Sequence, residues 1–349
     1  VVAVSSKNLT LDRAPMYAWS VAVASVMWIL TLPVLFGLLV LIYVDHRHAG
    51  GVGPGNNAEM FNRGTWFFRN PQIYVVAIPV LGFAADVLGT TARARLTPRL
   101  AVQFAVVAFG VLGFGAFLAG ADASDLESPV VIAMGLLGVL PVLAVLALIG
   151  DLFRRGSFRL TTGAVYAVAA LVVLLHGVVG GAIGSLPGLD TPGTVFDLGV
   201  QHALVLASVI GSLGGLHWWA VKIGRQAATE SLGKVAPLVL LVGSALVVIP
   251  DLVSGLVGED AELAPDWTGG LSGLNAVTAL GFALVLLGVA VAIASYVPLL
   301  KTADDVPVDP WDGQTLEWLA PSPPPPGNFE ADLPVVTSAE PLVDQRQEK

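Results

Sequence analysis

Residues Met16 to Val44 read MYAWSVAVASVMWILTLPVLFGLLVLIYV, a run with no charged side chain. It exceeds the roughly 20 helical residues needed to cross a bilayer's hydrocarbon layer. Similar stretches follow at Pro71 to Leu88, Leu100 to Gly120, Pro129 to Gly150, Thr162 to Gly184, Phe196 to Val221, Val235 to Val257 and Leu271 to Leu300. All are rich in Ala, Val, Leu and Gly, without the two-residue alternation of a membrane barrel, which leaves helices as the spanning elements. The expected fold is all-α: a polytopic transmembrane bundle of eight helices.

Composition agrees. Of 349 residues, 55% are hydrophobic and 12% charged, about half the charged fraction of ordinary soluble domains. The net charge of −9 speaks against nucleic acid as a partner, because counterion release from phosphates needs Lys and Arg; the lipid bilayer is the expected environment. With no Cys and five His, disulfides, thiolate metal sites and iron–sulfur clusters are excluded, and an imidazole-bound metal must draw on those five. The chain lacks an initiator Met and a secretory leader, so a processed form or a piece of something longer is expected.

Lys and Arg set the orientation. With the N-terminus cytoplasmic, every one of them except Arg47, Arg63 and Arg69 falls on inner segments. The expected organisation is a cytoplasmic N-terminal segment (1–15), an eight-helix membrane domain (16–300) and a Pro-rich cytoplasmic tail (301–349). The run Pro323 to Pro326 favours extended polyproline backbone there. Three outer loops carry Asp122, Asp125, Glu127, Asp190, Glu259, Asp260, Glu262 and Asp266 without a cation; they form a solvated face or a docking face for a cationic partner.

Ionisable groups at membrane depth are costly and are functional candidates. His202 lies in the sixth segment, about a turn and a half below Asp197; it either ligates a metal or haem iron, or is a core histidine bonded to a neighbouring carbonyl or carboxylate. His217 is about 22 Å farther along the same helix, so the two cannot share a metal. His176 reads as structural, and His46 and His48 as solvated. Asp86 and Asp251, near segment ends, are expected to approach headgroups or water. Most Trp residues read as interfacial anchors.

Certain strings are specific. Arg13-Ala14-Pro15-Met16 and Leu32-Pro33-Val34-Leu35 resemble the fifth helix of haem-copper oxidase subunit I, the catalytic subunit of cytochrome c oxidase. Trp66-Phe67-Phe68-Arg69-Asn70-Pro71-Gln72-Ile73-Tyr74 is similar to that family's W-F-F-G-H-P-E-V-Y. In the tail, Asp309-Pro310-Trp311 with Thr315-Leu316-Glu317-Trp318, then Pro321-Ser322-Pro323-Pro324-Pro325 and Asn328-Phe329, resemble N-P-W-x-x-x-T-L-E-W, P-S-P-P-P and N-F. The resemblance covers nearly the whole chain as the family's helices five to twelve and leaves out the first four.

Carried over residue by residue, the resemblance implies a depleted site. Asn70 stands where the first copper-ligating His belongs, Phe114 and Gly115 where the other two belong, and Gln72 replaces the proton-carrying Glu; Tyr74 keeps its identity. Val200 replaces the high-spin haem's ligand, while His202 falls on the low-spin haem's. Val145 replaces the lysine of the inner proton channel, and Ala261 and Glu262 the Arg pair that holds haem propionates. The resemblance therefore implies no copper, no catalytic residue for oxygen reduction, and at most one haem, through His202. The functional expectation is a catalytically degenerate subunit of a respiratory electron-transfer complex in a prokaryotic cytoplasmic membrane. Its partners are other subunits, among them a chain supplying the first four helices. The alternative is part of a split terminal oxidase in which His202 carries a low-spin haem.

Overall fold

The computed structural model describes residues 10–47, 58–114, 129–224, 226–263, 265, 267–301, 306–327, 329 and 336–347. The expected transmembrane helical bundle is what forms. Long apolar stretches become α1 (Met16–Arg47), α2 (Ala58–Ala92), α4 (Pro129–Leu137) continued by α5 (Val139–Arg155), α6 (Thr162–Gly184), α7 (Val195–Trp218), α9 (Glu230–Leu256) and α10 (Ser272–Ser295). Seven spans among the described residues are long and apolar enough to cross a membrane. The third predicted stretch begins as α3 (Arg99–Leu112), 14 residues long; its continuation through Gly120 lies outside the described residues. Two short helices complete the set, α8 (Ala220–Gly224) and α11 (Pro341–Gln347).

α2 is the axis of the bundle. It packs against α1, α3, α5, α6 and α7, and 78% of its most apolar window is buried, against 17% for α1 and 22% for α10. The flanking helices therefore present apolar side chains outward, such as Trp28, Ile29 and Phe36 on α1 and Leu286 and Ile293 on α10, as lipid-facing or partner-facing surfaces do. α10 is held by close backbone approach to α9. A Cβ on Gly281 would stand 2.7 Å from backbone atoms of Leu246 and Val247, so only glycine permits this crossing.

Consecutive long helices run in opposite directions, giving the bundle two chemically different ends. At one, the amides of Ser157 and Arg159 donate to Ala92 and Thr91, and that of Thr229 to Ser295. The tail docks on this end. Trp311 stacks on Trp218 with ring centroids 4.9 Å apart and donates Nε1–H to the Trp218 carbonyl at 3.0 Å. Trp318 lies edge-on to Trp218 at 5.8 Å, with the Lys222 ammonium 5.5 Å from its centroid. Farther along, Arg99 pairs with Glu340 at 3.4 Å, Arg95 pairs with Asp344, and Arg13 donates to the Val336 carbonyl at 2.7 Å. The tail is thus a fitted cap over this end and not only an extended segment. Trp218 is core-packed and does not anchor to lipid: it is 2% exposed.

At the distal end the α6–α7 and α9–α10 loops are joined. Val195 donates its amide to the Glu259 carbonyl at 2.9 Å and Ala261 its amide to Gly193 at 3.0 Å, flanking a bridge between Thr194 and Asp260.

Candidate functional site: a histidine cavity at the distal end

α7 starts with Thr194 as N-cap, its hydroxyl accepting the Phe196 amide at 3.2 Å, which satisfies one of the helix's open donors. Two turns later His202 faces α9 and α10. Its Nδ1 bonds Asp251 Oδ2 at 2.8 Å, and Thr278 donates its hydroxyl to Asp251 Oδ1 at 2.9 Å. Both carboxylate oxygens are therefore engaged, and a neutral His202 donates from Nδ1 while Nε2 remains an acceptor. Asp251 is 5% exposed and His202 30%, so the carboxylate is inside and the imidazole meets open space. Phe282 contributes a ring 5.2 Å away at 88°.

That space is a cavity of about 320 Å3, whose lining includes Val195, Leu198, Leu263, Trp267, Phe282 and Ala261 beside His202, and the acidic side chains of Asp251, Glu259 and Asp260. Asn275 donates to Glu259 Oε1 at 2.8 Å. Glu259 Oε2 is buried without a hydrogen-bond partner among the described residues.

One expectation changes here. Asp251 is 5% exposed and is held inside the bundle by His202 and Thr278, at the wall of the cavity. Asp197, about one and a half turns from His202, accepts the Gly193 amide at 2.8 Å and shapes the turn before α7. Asp86, half-buried, accepts the amides of Met16 at 2.9 Å and Tyr17 at 2.8 Å.

The positions singled out by resemblance lie mostly elsewhere. Tyr74 on α2 is buried, its ring 5.4 Å from Phe109, and a Cβ on Gly113 would stand 2.6 Å from its own Cβ. Phe114, at the end of α3, is half-buried against the core. The Asn70 side chain and all of Gly115 lie outside the described residues. Val145 is buried. Val200 packs on α6 so closely that a Cβ on Gly180 would be 3.0 Å from its Cγ2. Ala261, by contrast, shares the cavity with His202, while Glu262 bonds locally, its amide donating to Asp260 at 2.7 Å.

A second polar group was not anticipated. His217, 1% exposed, bonds Glu230 Oε1 at 3.1 Å through Nε2, and Thr162 donates to Glu230 Oε2 at 2.9 Å. Lys234 completes it at 3.6 Å. The pair joins α7 to α9 near the tail-bearing end. Its sequence signal is a histidine followed by an acid across one short connection. His176 bonds within its own helix, its Nδ1 donating to the Val172 carbonyl at 2.7 Å.

The His202 cavity meets one requirement of haem and fails another. An imidazole whose Nδ1 is held by a carboxylate is oriented as metal-bound histidines are. Among the described residues its lining, however, includes three carboxylates and no Lys or Arg, which opposes the two propionates of a haem. The residues present do not fit haem as a whole.

Fold and site define a multi-pass helical membrane protein with an acid-lined histidine cavity. Comparison with known proteins supplies the family. The model for "Cytochrome C and Quinol oxidase polypeptide I" matches residues 1–288. "Cytochrome c oxidase subunit 1" of Bacillus subtilis (strain 168) is 26% identical over 362 residues, covering 99% of this chain and 57% of that protein. "Cytochrome bo(3) ubiquinol oxidase subunit 1" of Buchnera aphidicola subsp. Acyrthosiphon pisum is 24% identical over 343 residues, covering 94% of this chain and 52% of that one. A solved structure described as a cryo-EM structure of a heme-copper terminal oxidase dimer superposes with a TM-score of 0.64 at 15% identity, covering 84% of this chain and 58% of that chain. The chain belongs to the cytochrome c and quinol oxidase polypeptide I family. It spans only 57% and 52% of the length of the two relatives named.

Proposed function

We propose that this chain is a catalytically degenerate member of its family, a structural or assembly subunit of a respiratory electron-transfer complex that does not itself reduce oxygen. The observation that carries the reading is Val200. It occupies the position that the resemblance gives to the high-spin haem's ligand, is 2% exposed, and packs directly on Gly180 of the neighbouring helix. A valine offers no donor to iron, and helix–helix contact fills its surroundings. Phe114 at a copper-ligand position supports the same conclusion. The outward apolar flanks of α1 and α10 support a partner that supplies the first four helices. The gathering of Arg13, Arg95, Arg99, Lys222 and Arg346 at the tail-bearing end supports an orientation with both termini cytoplasmic in a prokaryotic cell membrane. It also supports the division into an N-terminal segment (1–15), a membrane domain (16–300) and a tail (301–349).

The test is metal analysis and oxygen uptake on the complex purified from its own membrane. Stoichiometric copper in this chain together with oxygen consumption that survives removal of other oxidases overturns the reading. The rival, a split oxidase with a low-spin haem on His202, has the Nδ1–Asp251 bond in its favour and the acidic lining against it. A reduced-minus-oxidised spectrum decides it: a haem band that His202→Ala abolishes establishes the rival, and a band absent or unaffected removes it.

A further inference from the structure

We propose that the cavity beside His202 binds an organic ammonium, a protonated amine carried on an apolar body. Three independent features point to that chemistry. First, the cavity's walls combine the rings of Phe282 and Trp267 with Val195, Leu198 and Leu263, surfaces that take up hydrocarbon and whose aromatic faces attract cations. Secondly, Glu259 Oε2 is buried and unpartnered among the described residues while its sister oxygen is held by Asn275. A carboxylate oxygen taken from water and left without a donor is costly, and an N–H donor with positive charge is its strongest complement. Thirdly, His202 is fixed by Asp251 and lines the cavity, and in its neutral form Nε2 accepts a second N–H of the same ammonium.

Competing ligand classes fit less well. An anion meets three carboxylates. A metal ion lacks its cage, since no group of three or more His, Cys, Asp or Glu among the described residues is placed to hold one. A neutral alcohol leaves the charge of Glu259 uncompensated. The volume, about 320 Å3, suits a small amine or the end of a larger one. The rim residues Leu263 and Trp267 are 70% and 58% exposed, and they continue the apolar wall outward. The amine is either free or the headgroup of a lipid.

The experiment titrates the full chain in dodecyl maltoside with hexylammonium chloride, sodium hexanoate and hexanol by calorimetry. Saturable one-to-one binding of hexylammonium is expected, with neither control saturating. Glu259→Gln weakens it about tenfold or more, the size of a lost charge-assisted hydrogen bond, and Phe282→Ala weakens it without altering the anion control. Asp190→Asn, which changes a distal-loop acid outside the cavity, leaves the affinity unchanged and guards against a general charge effect. Nanodiscs of phosphatidylglycerol alone or with phosphatidylethanolamine separate the sources. Competition by phosphatidylethanolamine identifies a lipid headgroup, and undiminished hexylammonium binding identifies a free amine. Equal binding of hexanoate or hexanol, an unaltered affinity in a folded Glu259→Gln variant, or a haem band abolished by His202→Ala overturns the proposal.

Discussion

Removing the Trp318 side chain should release the tail from the bundle. Trp318 is 2% exposed, lies edge-on to Trp218 at 5.8 Å, and carries the Lys222 ammonium 5.5 Å from its centroid. An aromatic side chain of this kind buries about 150–250 Å2, which at about 25 cal/mol per Å2 corresponds to roughly 4–6 kcal/mol as an upper bound. Measured Trp→Ala losses in cores run at about 3–5 kcal/mol. Because Trp311 keeps its stack on Trp218, the lower end, about 3 kcal/mol, is the expected loss for Trp318→Ala. That raises the open population of the tail by about a hundredfold. Hydrogen exchange reads this directly. The amides of Leu342, bonded to Gln314, and Trp318, bonded to Thr315, should exchange about a hundred times faster, while those in the middle of α2 do not change. Trp267→Ala at the opposite end, where the side chain is 58% exposed, is the control and should leave tail protection intact. Unchanged tail exchange in a folded Trp318→Ala protein refutes the cap.

Three other outcomes follow from the same contacts. Burial alone raises the Asp344 carboxyl, but hydrogen bonds from Ser338, Arg95 and Thr337 outweigh it and hold the group below its ordinary value. A depressed carboxylate contributes stability that is present above the unfolded value, near 4, and lost as pH falls through the folded value. Protease sensitivity of the tail should therefore rise in acid, and Asp344→Asn should remove that part of the pH dependence while weakening the tail at neutral pH. Asp251→Ala strips partners from both His202 and Thr278 and should cost about 1–3 kcal/mol in detergent unfolding; Asp251→Asn, which can still accept one bond, should cost less. Gly281→Leu forces a side chain into the α9 backbone and should lower stability by about 1–3 kcal/mol or more, whereas the same change at Gly273, where a Cβ meets nothing within 4 Å, should be nearly silent.

The helices were legible because hydrocarbon burial leaves a long local signal: an uncharged run such as 16–44 has few other destinies. The tail was less legible, since a Pro-rich, acidic composition signals solvent exposure. Its docking depends on Trp311 and Trp318 meeting one residue, Trp218, which lies 93 positions before Trp311. His202 was legible as a candidate because it is an imidazole within a span. Its partner was not, because Asp251 is 49 residues away on another helix. Position near a segment end suggests water for Asp251 and Asp86; both answer donors from other helices, and Asp251 is 5% exposed. The cavity's acidity was visible as a loop composition, but only the joining of the two distal loops brings Glu259, Asp260 and Ala261 beside His202.

The bond between α1 and α2 carries an implication for biogenesis. Helix starts need acceptors for their open amides, and those of Met16 and Tyr17 find theirs in Asp86, 70 and 69 residues later. A nascent α1 has no such acceptor until α2 has been synthesised almost to its end. The two are best delivered to the bilayer as one hairpin, closed by this aspartate at the tail-bearing end.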